Sequence, residues 1–333
     1  MLSIIQSIVL VFSIFAFLAA LVSQGVYLST RKFIARASAD GRVRILELLV
    51  ILPVLITVFV IIKGFAPSML TLLGMPQEHC ISHCLIGGSD HIHLCLITPP
   101  EFISNPVILL LFTALVGVFF FNLYRIVYEL IQGRRLIVQL KQLAVYIPGP
   151  NYYRIESDEI LALSMGFFRP AVFVSAGLEA RLSSRELALV LEHEYTHARR
   201  RDLLRNLLMK FVGIFFIPRI LKQILADISL GSEQICDQQA TKKVNSRFLV
   251  AETIVKVQRL VSETNRPTAA LASYFSENHI ASRVAALIDD QPVQAQKLFS
   301  ISAYFLIISA VVFFVAEQDA IHHLVEMVYN SLL

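Results

Sequence analysis

Two histidines and a glutamate near the middle of the sequence have the spacing of a catalytic metal site. The run His193-Glu194-Tyr195-Thr196-His197 places the histidines four residues apart, so in a helix both imidazoles project from one face. Two such imidazoles can hold a single zinc ion, with Glu194 beside the open position of the metal. The predicted chemistry is attack of a metal-activated water on a peptide carbonyl, with Glu194 accepting the proton. The alternative is a chance HExxH spacing on a solvated helix.

A third protein ligand is expected from another segment, because catalytic zinc usually takes three and keeps one position open. Glu233 is the first candidate, and Asp237 shares its helical face, where it could accept the free ring N–H of a ligating histidine. The alternative for Glu233 is an acidic first turn of a helix, which the helix dipole favours without any metal. Asp202, His279 and Cys236 are the other candidate donors, although Cys236 has the character of a small buried apolar residue.

The histidines need a helix, and the sequence predicts where it begins. Ser183 and Glu186 have the spacing of a capping box in front of an apolar run, so the helix should start there. Four short apolar runs separated by turn residues predict a small sheet before it, at 143–147, 152–155, 160–164 and 171–175. Ala171–Ser175 could be an edge strand that pairs with an extended peptide, or an interior strand without substrate contact. The charged run Arg200–Asp202 is interpreted as a helix end near lipid, with support of the metal site as the alternative.

Long apolar stretches predict that the chain is anchored in a membrane. Of its 333 residues 56% are hydrophobic and 16% charged, which is more apolar than an ordinary soluble protein. Each predicted span has about the 20 residues that a helix needs to cross the bilayer, and they lie at 2–28, 45–65, 106–128 and 298–315. Leu203–Leu225 is not counted, because Lys210, Pro218, Arg219 and Lys222 interrupt it. We expect it on the membrane face or in the domain core.

Lysine and arginine orient these spans, because short basic loops stay in the cytoplasm. The loop 29–44 carries five basic residues, whereas 64–105 carries none. This predicts a bacterial inner-membrane protein with its N-terminus outside, a cytoplasmic loop at 29–44 and an extracytoplasmic loop at 66–105. The net charge of +4 then reflects anchoring at the inner face, and no direct contact with nucleic acid is expected.

These features together predict a membrane α-helical protein with an inserted, mainly helical α+β peptidase domain of zincin type. Residues 1–128 would hold three transmembrane helices, and 129–297 would form the cytoplasmic metallopeptidase domain. Residues 298–333 would hold the fourth transmembrane helix and a short extracytoplasmic tail.

The predicted extracytoplasmic loop is dense in donors for soft metals. These donors are His79, Cys80, His83, Cys84, His91, His93 and Cys95. Thiolates and imidazoles suit zinc or cuprous copper, so metal or redox sensing is the first interpretation. The alternative is a disulfide between two of the three cysteines in an oxidising exterior.

The motifs together resemble the antirepressor metallopeptidases typified by the BlaR and MecR beta-lactam sensors. The segments that carry the resemblance are Pro170–Ser175, Leu187–His197, Arg200–Leu204 and Glu233–Asp237. The resemblance implies zinc held by the two HExxH histidines and Glu233. It also implies that Glu194 is the general base and that Asp237 supports the site.

One departure from those sensors concerns the outer domain. The sensors continue past their fourth span into a penicillin-binding domain, whereas this sequence ends at Leu333, so direct beta-lactam sensing is not expected. The resemblance implies cleavage of the protein itself, of a cytoplasmic repressor, or of both, after an outside signal. Expected partners are membrane lipid, a peptide or protein substrate such as a winged-helix repressor, and a second copy in a homodimer. Alternatives are a quality-control or CAAX-type membrane protease and a metal receptor without catalysis.

Overall fold

The computed structural model describes residues 2–73, 103–263 and 277–288, together with Met327. Its first three helices are α1 (Leu2–Ile34), α2 (Ala39–Leu72) and α3 (Pro106–Leu143). All three are long and apolar enough to cross a membrane, and they contain the first three predicted spans. The predicted fourth span at 298–315 lies outside the described residues.

The predicted metal-binding loop also lies outside the described residues. This applies to all seven of its candidate ligands, which are His79, Cys80, His83, Cys84, His91, His93 and Cys95. Metal binding or a disulfide in this loop therefore stays a prediction.

Helix α3 continues well past the predicted end of its span. Asn105 caps its first turn by accepting from the Val107 N–H, and the helix runs without a break to Leu143. It leads directly into strand β1 (Ala144–Ile147). None of the residues of α3 is buried, although Ile108, Phe112 and Leu115 in its first half pack against an apolar cluster of α1 and α2.

A four-stranded sheet follows, close to the predicted strands. After β1 come β2 (Tyr152–Ile155), β3 (Ala162–Met165) and β4 (Ala171–Ser175), in the spatial order β1-β2-β4-β3. Strand β4 pairs in parallel with β2 and antiparallel with β3.

The hypothesis that Ala171–Ser175 is an edge strand is wrong. Phe173 pairs with Tyr153 on one side and with Leu163 on the other, so β4 is interior. Val172, Phe173 and Val174 are all buried, which means that both faces of β4 are covered, as is usual for an interior strand. The edges of the sheet within the described residues are β1 and β3.

The rest of the domain is helical. Its helices are α4 (Ala176–Arg181), α5 (Ser184–Arg200), α6 (Asp202–Val212), α7 (Pro218–Val244), α8 (Arg247–Glu263) and α9 (Glu277–Ile288). The apolar stretch Leu203–Leu225 is divided between α6, a 3-10 turn and the start of α7. Within the described chain only α1, α2 and α3 qualify as membrane spans, so the prediction that this stretch is no fifth span is confirmed there.

One apolar cluster joins helices α1 and α2 to helix α7 of the domain that follows them. Tyr27 of α1 and Val43 of α2 belong to it, and so do Ile228 and Ile235 of α7. A Cβ added at Gly231 of α7 would lie 2.5 Å from a methyl group of Val43, so only glycine lets α7 approach α2 this closely. The helix that carries Glu233 is thus packed directly on a helix of membrane-spanning length.

Candidate metal centre

The predicted capping box forms at the start of α5 and is confirmed. The Ser183 hydroxyl accepts from the Glu186 backbone N–H at 3.4 Å, and the Glu186 carboxylate accepts from the Ser183 N–H at 2.7 Å. Lys256 of α8 lies 2.8 Å from both carboxylate oxygens of Glu186. This ion pair, aided by the hydrogen bonds from Ser183, lowers the pKa of Glu186 despite burial. The helix that carries HExxH is therefore held at its first turn by both capping and tertiary contacts.

The two HExxH histidines meet Glu233 of α7. The Nε2 atoms of His193 and His197 lie 3.2 Å apart. The two carboxylate oxygens of Glu233 each lie 3.4 Å from one of these nitrogens. Because α7 begins at Pro218, Glu233 stands in the interior of its helix, and the alternative of an acidic first turn is wrong.

A carboxylate holds the second nitrogen of each imidazole. Asp237 Oδ1 lies 3.0 Å from His193 Nδ1, and Asp202 Oδ2 lies 2.7 Å from His197 Nδ1. Carboxylates in this position fix the orientation of a histidine and leave its other nitrogen to face a metal. Asp237 thus occupies the place predicted for it. Of the two interpretations of Asp202, the structure favours support of the site.

A tight reversal of the chain after α5 brings Asp202 to His197. Arg201 has a left-handed backbone with φ of 54°, which costs a residue other than glycine about 1 kcal/mol. It ends α5, and α6 begins at the next residue, Asp202. Arg200 Nε lies 3.2 Å from Asp202 Oδ1, so the aspartate is held from a second direction.

The donor set fits zinc. Two donors on one tetrahedral zinc, each bound at about 2 Å, lie about 3.3 Å apart. The observed separations among His193, His197 and Glu233 are 3.2 and 3.4 Å. The buried Cys236 offers a further donor, since its sulfur and one nitrogen of each histidine lie within 4.8 Å of one another. The side chain of His279, another predicted donor, is outside the described part of the structure.

The charges of the cluster are strongly coupled. Burial alone would lower the pKa of His193, but hydrogen bonds to Asp237 and Glu233 outweigh it and raise that pKa to about 10. Burial also opposes protonation of His197, yet its partners, Asp202 first, raise its pKa well above 6.5. Burial would raise the pKa of Glu233, but the two histidines lower it well below 4.5. The cluster thus pairs cationic imidazoles with carboxylates, and a divalent cation can replace those protons.

Arg283 of α9 also belongs to the cluster, although it was not predicted from the sequence. Its guanidinium lies 2.7 and 2.8 Å from the two oxygens of Asp237 and 3.1 Å from Glu233. The side chain is only 9% exposed, which an arginine tolerates when it is paired. One signal was present in the sequence, namely a single arginine inside the otherwise apolar or small run Ile280–Ile288.

An apolar cavity opens beside the cluster. Glu194, His193 and Arg283 are among the residues that line it. Its wall is formed by residues from β3, α5, α8 and α9, among them Ala162, Val190, Val250, Ile254, Val257 and Ile280. The arrangement can therefore hold an apolar side chain next to a carboxylate that is able to accept a proton.

An HExxH helix crossed by a second helix that supplies carboxylates, on a chain with helices of membrane-spanning length, defines a membrane-associated metallopeptidase. Residues 150–287 match the family described as BlaR1 peptidase M56. This segment of the chain is thus similar to the BlaR1-type family that the motifs resemble, and the matched segment contains the whole described site. Neither the search of curated proteins nor the search of solved structures found a match.

Proposed function

We propose that the chain is a zinc-dependent endopeptidase in which His193, His197 and Glu233 bind the metal. The observation that carries this proposal is that the two histidine Nε2 atoms lie 3.2 Å apart and that each lies 3.4 Å from one carboxylate oxygen of Glu233. The engagement of both Nδ1 atoms by Asp237 and Asp202 supports it, because such contacts aim the Nε2 atoms at one point.

The residues around the metal have different roles in peptide hydrolysis. Zinc, when bound, lowers the pKa of a coordinated water to about 7 and polarises the peptide carbonyl. Glu194 accepts the proton of the attacking water at its carboxylate and passes it to the leaving amine. Arg283 neutralises the carboxylates of Asp237 and Glu233 and holds them in place.

The substrate is an extended peptide with a large apolar side chain next to the scissile bond. Strand β3 supports this, because it is an edge strand of the described sheet and packs beside the HExxH helix. An edge strand can pair with a peptide main chain. The cavity wall is apolar and reaches Glu194, so an apolar side chain would be bound close to the site of cleavage.

We propose further that the enzyme is a signal-transducing antirepressor protease of the bacterial inner membrane. The match of residues 150–287 to the BlaR1-type family and the three apolar helices support this role. The basic residues of the loop 29–44 support a cytoplasmic peptidase domain. Its target would be a winged-helix repressor, the protein itself, or both, and the His- and Cys-rich segment would receive a metal or redox signal.

Replacement of Glu194 by glutamine tests the catalytic part of the proposal. Glu194→Gln in the detergent-purified full chain should lower peptide hydrolysis at least about 100-fold and retain zinc, because Glu194 is not a ligand. Glu192→Gln is the matched control, since Glu192 pairs with Arg199 on the same helix outside the cluster. Hydrolysis by Glu194→Gln at the wild-type rate would exclude this mechanism.

Co-expression with a winged-helix repressor tests the antirepressor role. The repressor should disappear with the wild-type chain in the presence of inducer and persist with Glu194→Gln. Full signalling by Glu194→Gln would instead favour a metal receptor without catalysis. Cleavage of unrelated membrane proteins, with the repressor spared, would favour a quality-control or CAAX-type protease.

A further inference from the structure

We infer that membrane helix α2 controls the geometry of the metal ligands through Glu47 and Arg205, which act as positioning residues. This inference rests on the proposed zinc site. It adds a set of contacts through which the position of α2 affects the geometry of the zinc ligands.

A continuous row of charged groups runs from α2 to His197. Glu47 Oε2 lies 2.5 Å from Arg205 Nη2 on α6. The second terminal nitrogen of Arg205 lies 3.8 Å from Asp202 Oδ1. The other oxygen of Asp202 lies 2.7 Å from His197 Nδ1. The Arg205–Asp202 separation is that of an ion pair and is too long for a hydrogen bond, whereas the other two contacts of the row are short enough for hydrogen bonds.

The charged side chains of this row have little access to water, which strengthens the interactions between them. The side chains of Glu47 and Asp202 are only 14% and 16% exposed, and that of Arg205 is 33% exposed. Charges with little access to water interact more strongly than surface charges. Arg205 contacts both carboxylates, so a movement of Glu47 changes where Arg205 holds Asp202. The orientation of the His197 ring follows from the position of Asp202.

A second contact from α2 reaches the other side of the site. The Arg42 guanidinium donates to the side-chain oxygen of Gln234, the neighbour of Glu233. Gln234 Nε2 in turn donates to the Ser282 carbonyl at 3.2 Å, next to Arg283 on α9. Helix α2 thus contacts the residue next to Glu233, and that residue in turn contacts the neighbour of Arg283.

The packing between α2 and α7 leaves little room for independent movement. A Cβ at Gly231 would lie 2.5 Å from a methyl group of Val43, so any larger residue there would force the two helices or the valine to shift. On the same face, the Tyr27 hydroxyl of α1 donates to Asp227 of α7 at 2.7 Å. A shift or rotation of α2 would therefore be transmitted to the ligand-bearing helices and would not be absorbed by a loose interface.

The experiment uses the full chain in detergent micelles and compares Glu47→Gln, Arg205→Gln and the double variant. Zinc affinity is measured by competition with a chromophoric chelator, and the visible spectrum of the Co²⁺-loaded protein reports ligand geometry. Asp40→Asn and Arg44→Gln are matched controls, because this pair lies on the same helix at 2.8 Å but is exposed. Thermal unfolding of the metal-free proteins shows whether each variant is folded, and Arg205→Lys retains the charge without the forked guanidinium.

Each single replacement should raise the Kd for zinc about tenfold and alter the cobalt spectrum, with the controls unchanged. The double variant should be no weaker than the singles, because the two residues act in one path. Unchanged zinc affinity and an unchanged cobalt spectrum in folded Glu47→Gln would overturn the inference. A double variant whose Kd for zinc rises by the product of the two single increases would overturn it as well. Weakened zinc binding in the variants, with no peptidase activity even in the wild type, would uphold the inference and overturn the proposed function.

Discussion

Asp202 Oδ2 lies 2.7 Å from His197 Nδ1, although the two residues belong to different helices. The left-handed Arg201 between those helices makes this contact possible. The pair is matched across the site by Asp237 and His193 at 3.0 Å. Each metal-facing imidazole thus has its own carboxylate, and the two carboxylates come from different segments.

We predict that Asp202→Asn weakens zinc binding about tenfold. The amide is nearly the same size, but it removes the negative charge that orients His197. A fluorescent zinc indicator in competition with the purified protein measures the effect. Asp158→Asn, at an exposed position of the same domain, should leave the affinity unchanged. Equal affinities of Asp202→Asn and the wild type would show that this contact does not support the metal.

Replacement of Arg283 should destabilise the metal-free protein more than the zinc-bound protein. Arg283→Gln removes the guanidinium from the buried carboxylates of Asp237 and Glu233, and the loss of one partner of a buried ion pair typically costs about 3 kcal/mol. In the proposed zinc form Glu233 binds the metal directly, whereas the imidazoles of the metal-free protein lie 3.4 Å from its oxygens, so the loss of stability should be smaller with metal bound. Denaturant unfolding with and without zinc measures both values, and the exposed Arg185 provides the control Arg185→Gln. An equal loss in both forms would contradict this electrostatic coupling.

The stability of the metal-free protein should depend on pH in a defined direction. The pKa of His193 is raised to about 10, so its contribution is full below its ordinary value of 6.5 and is lost as the pH rises towards 10. The pKa of Glu233 is lowered, so its contribution is present above 4.5 and is lost as the pH falls further. Unfolding measured across this range should show a maximum between these limits.

Zinc binding near pH 7 should consequently release protons from both histidines. Titration calorimetry in buffers of different ionisation enthalpy counts these protons. Zinc uptake without proton release would mean that the imidazoles are neutral in the metal-free protein.

The third ligand can be assigned by comparing Glu233→Ala with Cys236→Ala. We expect Glu233→Ala to lose zinc affinity at least about 100-fold, because it removes a ligand from a site with few others. Cys236→Ala should bind zinc normally, since the buried thiol fills space beside the histidines. The Co²⁺ form separates the two assignments directly, because a thiolate ligand produces an intense near-ultraviolet charge-transfer band. Such a band in the wild type, absent from Cys236→Ala, would make Cys236 a ligand.

The local pattern of the sequence was sufficient to predict the helices and strands. Apolar stretches of membrane-spanning length predicted α1, α2 and α3, and breakers between short apolar runs predicted the four strands. The capping box at Ser183 predicted the start of the HExxH helix, and the four-residue spacing of its histidines predicted their common face. Each of these features depends on neighbours within one or two turns of chain, so the information is present in the sequence itself.

The tertiary structure decided which of these elements meet. Strand β4 is interior because it pairs with both β2 and β3. The residues Ala171–Ser175 alone do not indicate this order of strands. The pairing of Asp202 with His197 required the reversal at Arg201. Arg283 contacts Glu233, and Glu47 contacts Arg205, from segments far away in the sequence. Contacts of this kind depend on how whole helices pack, because the packing energy is shared among many residues that are not neighbours along the chain.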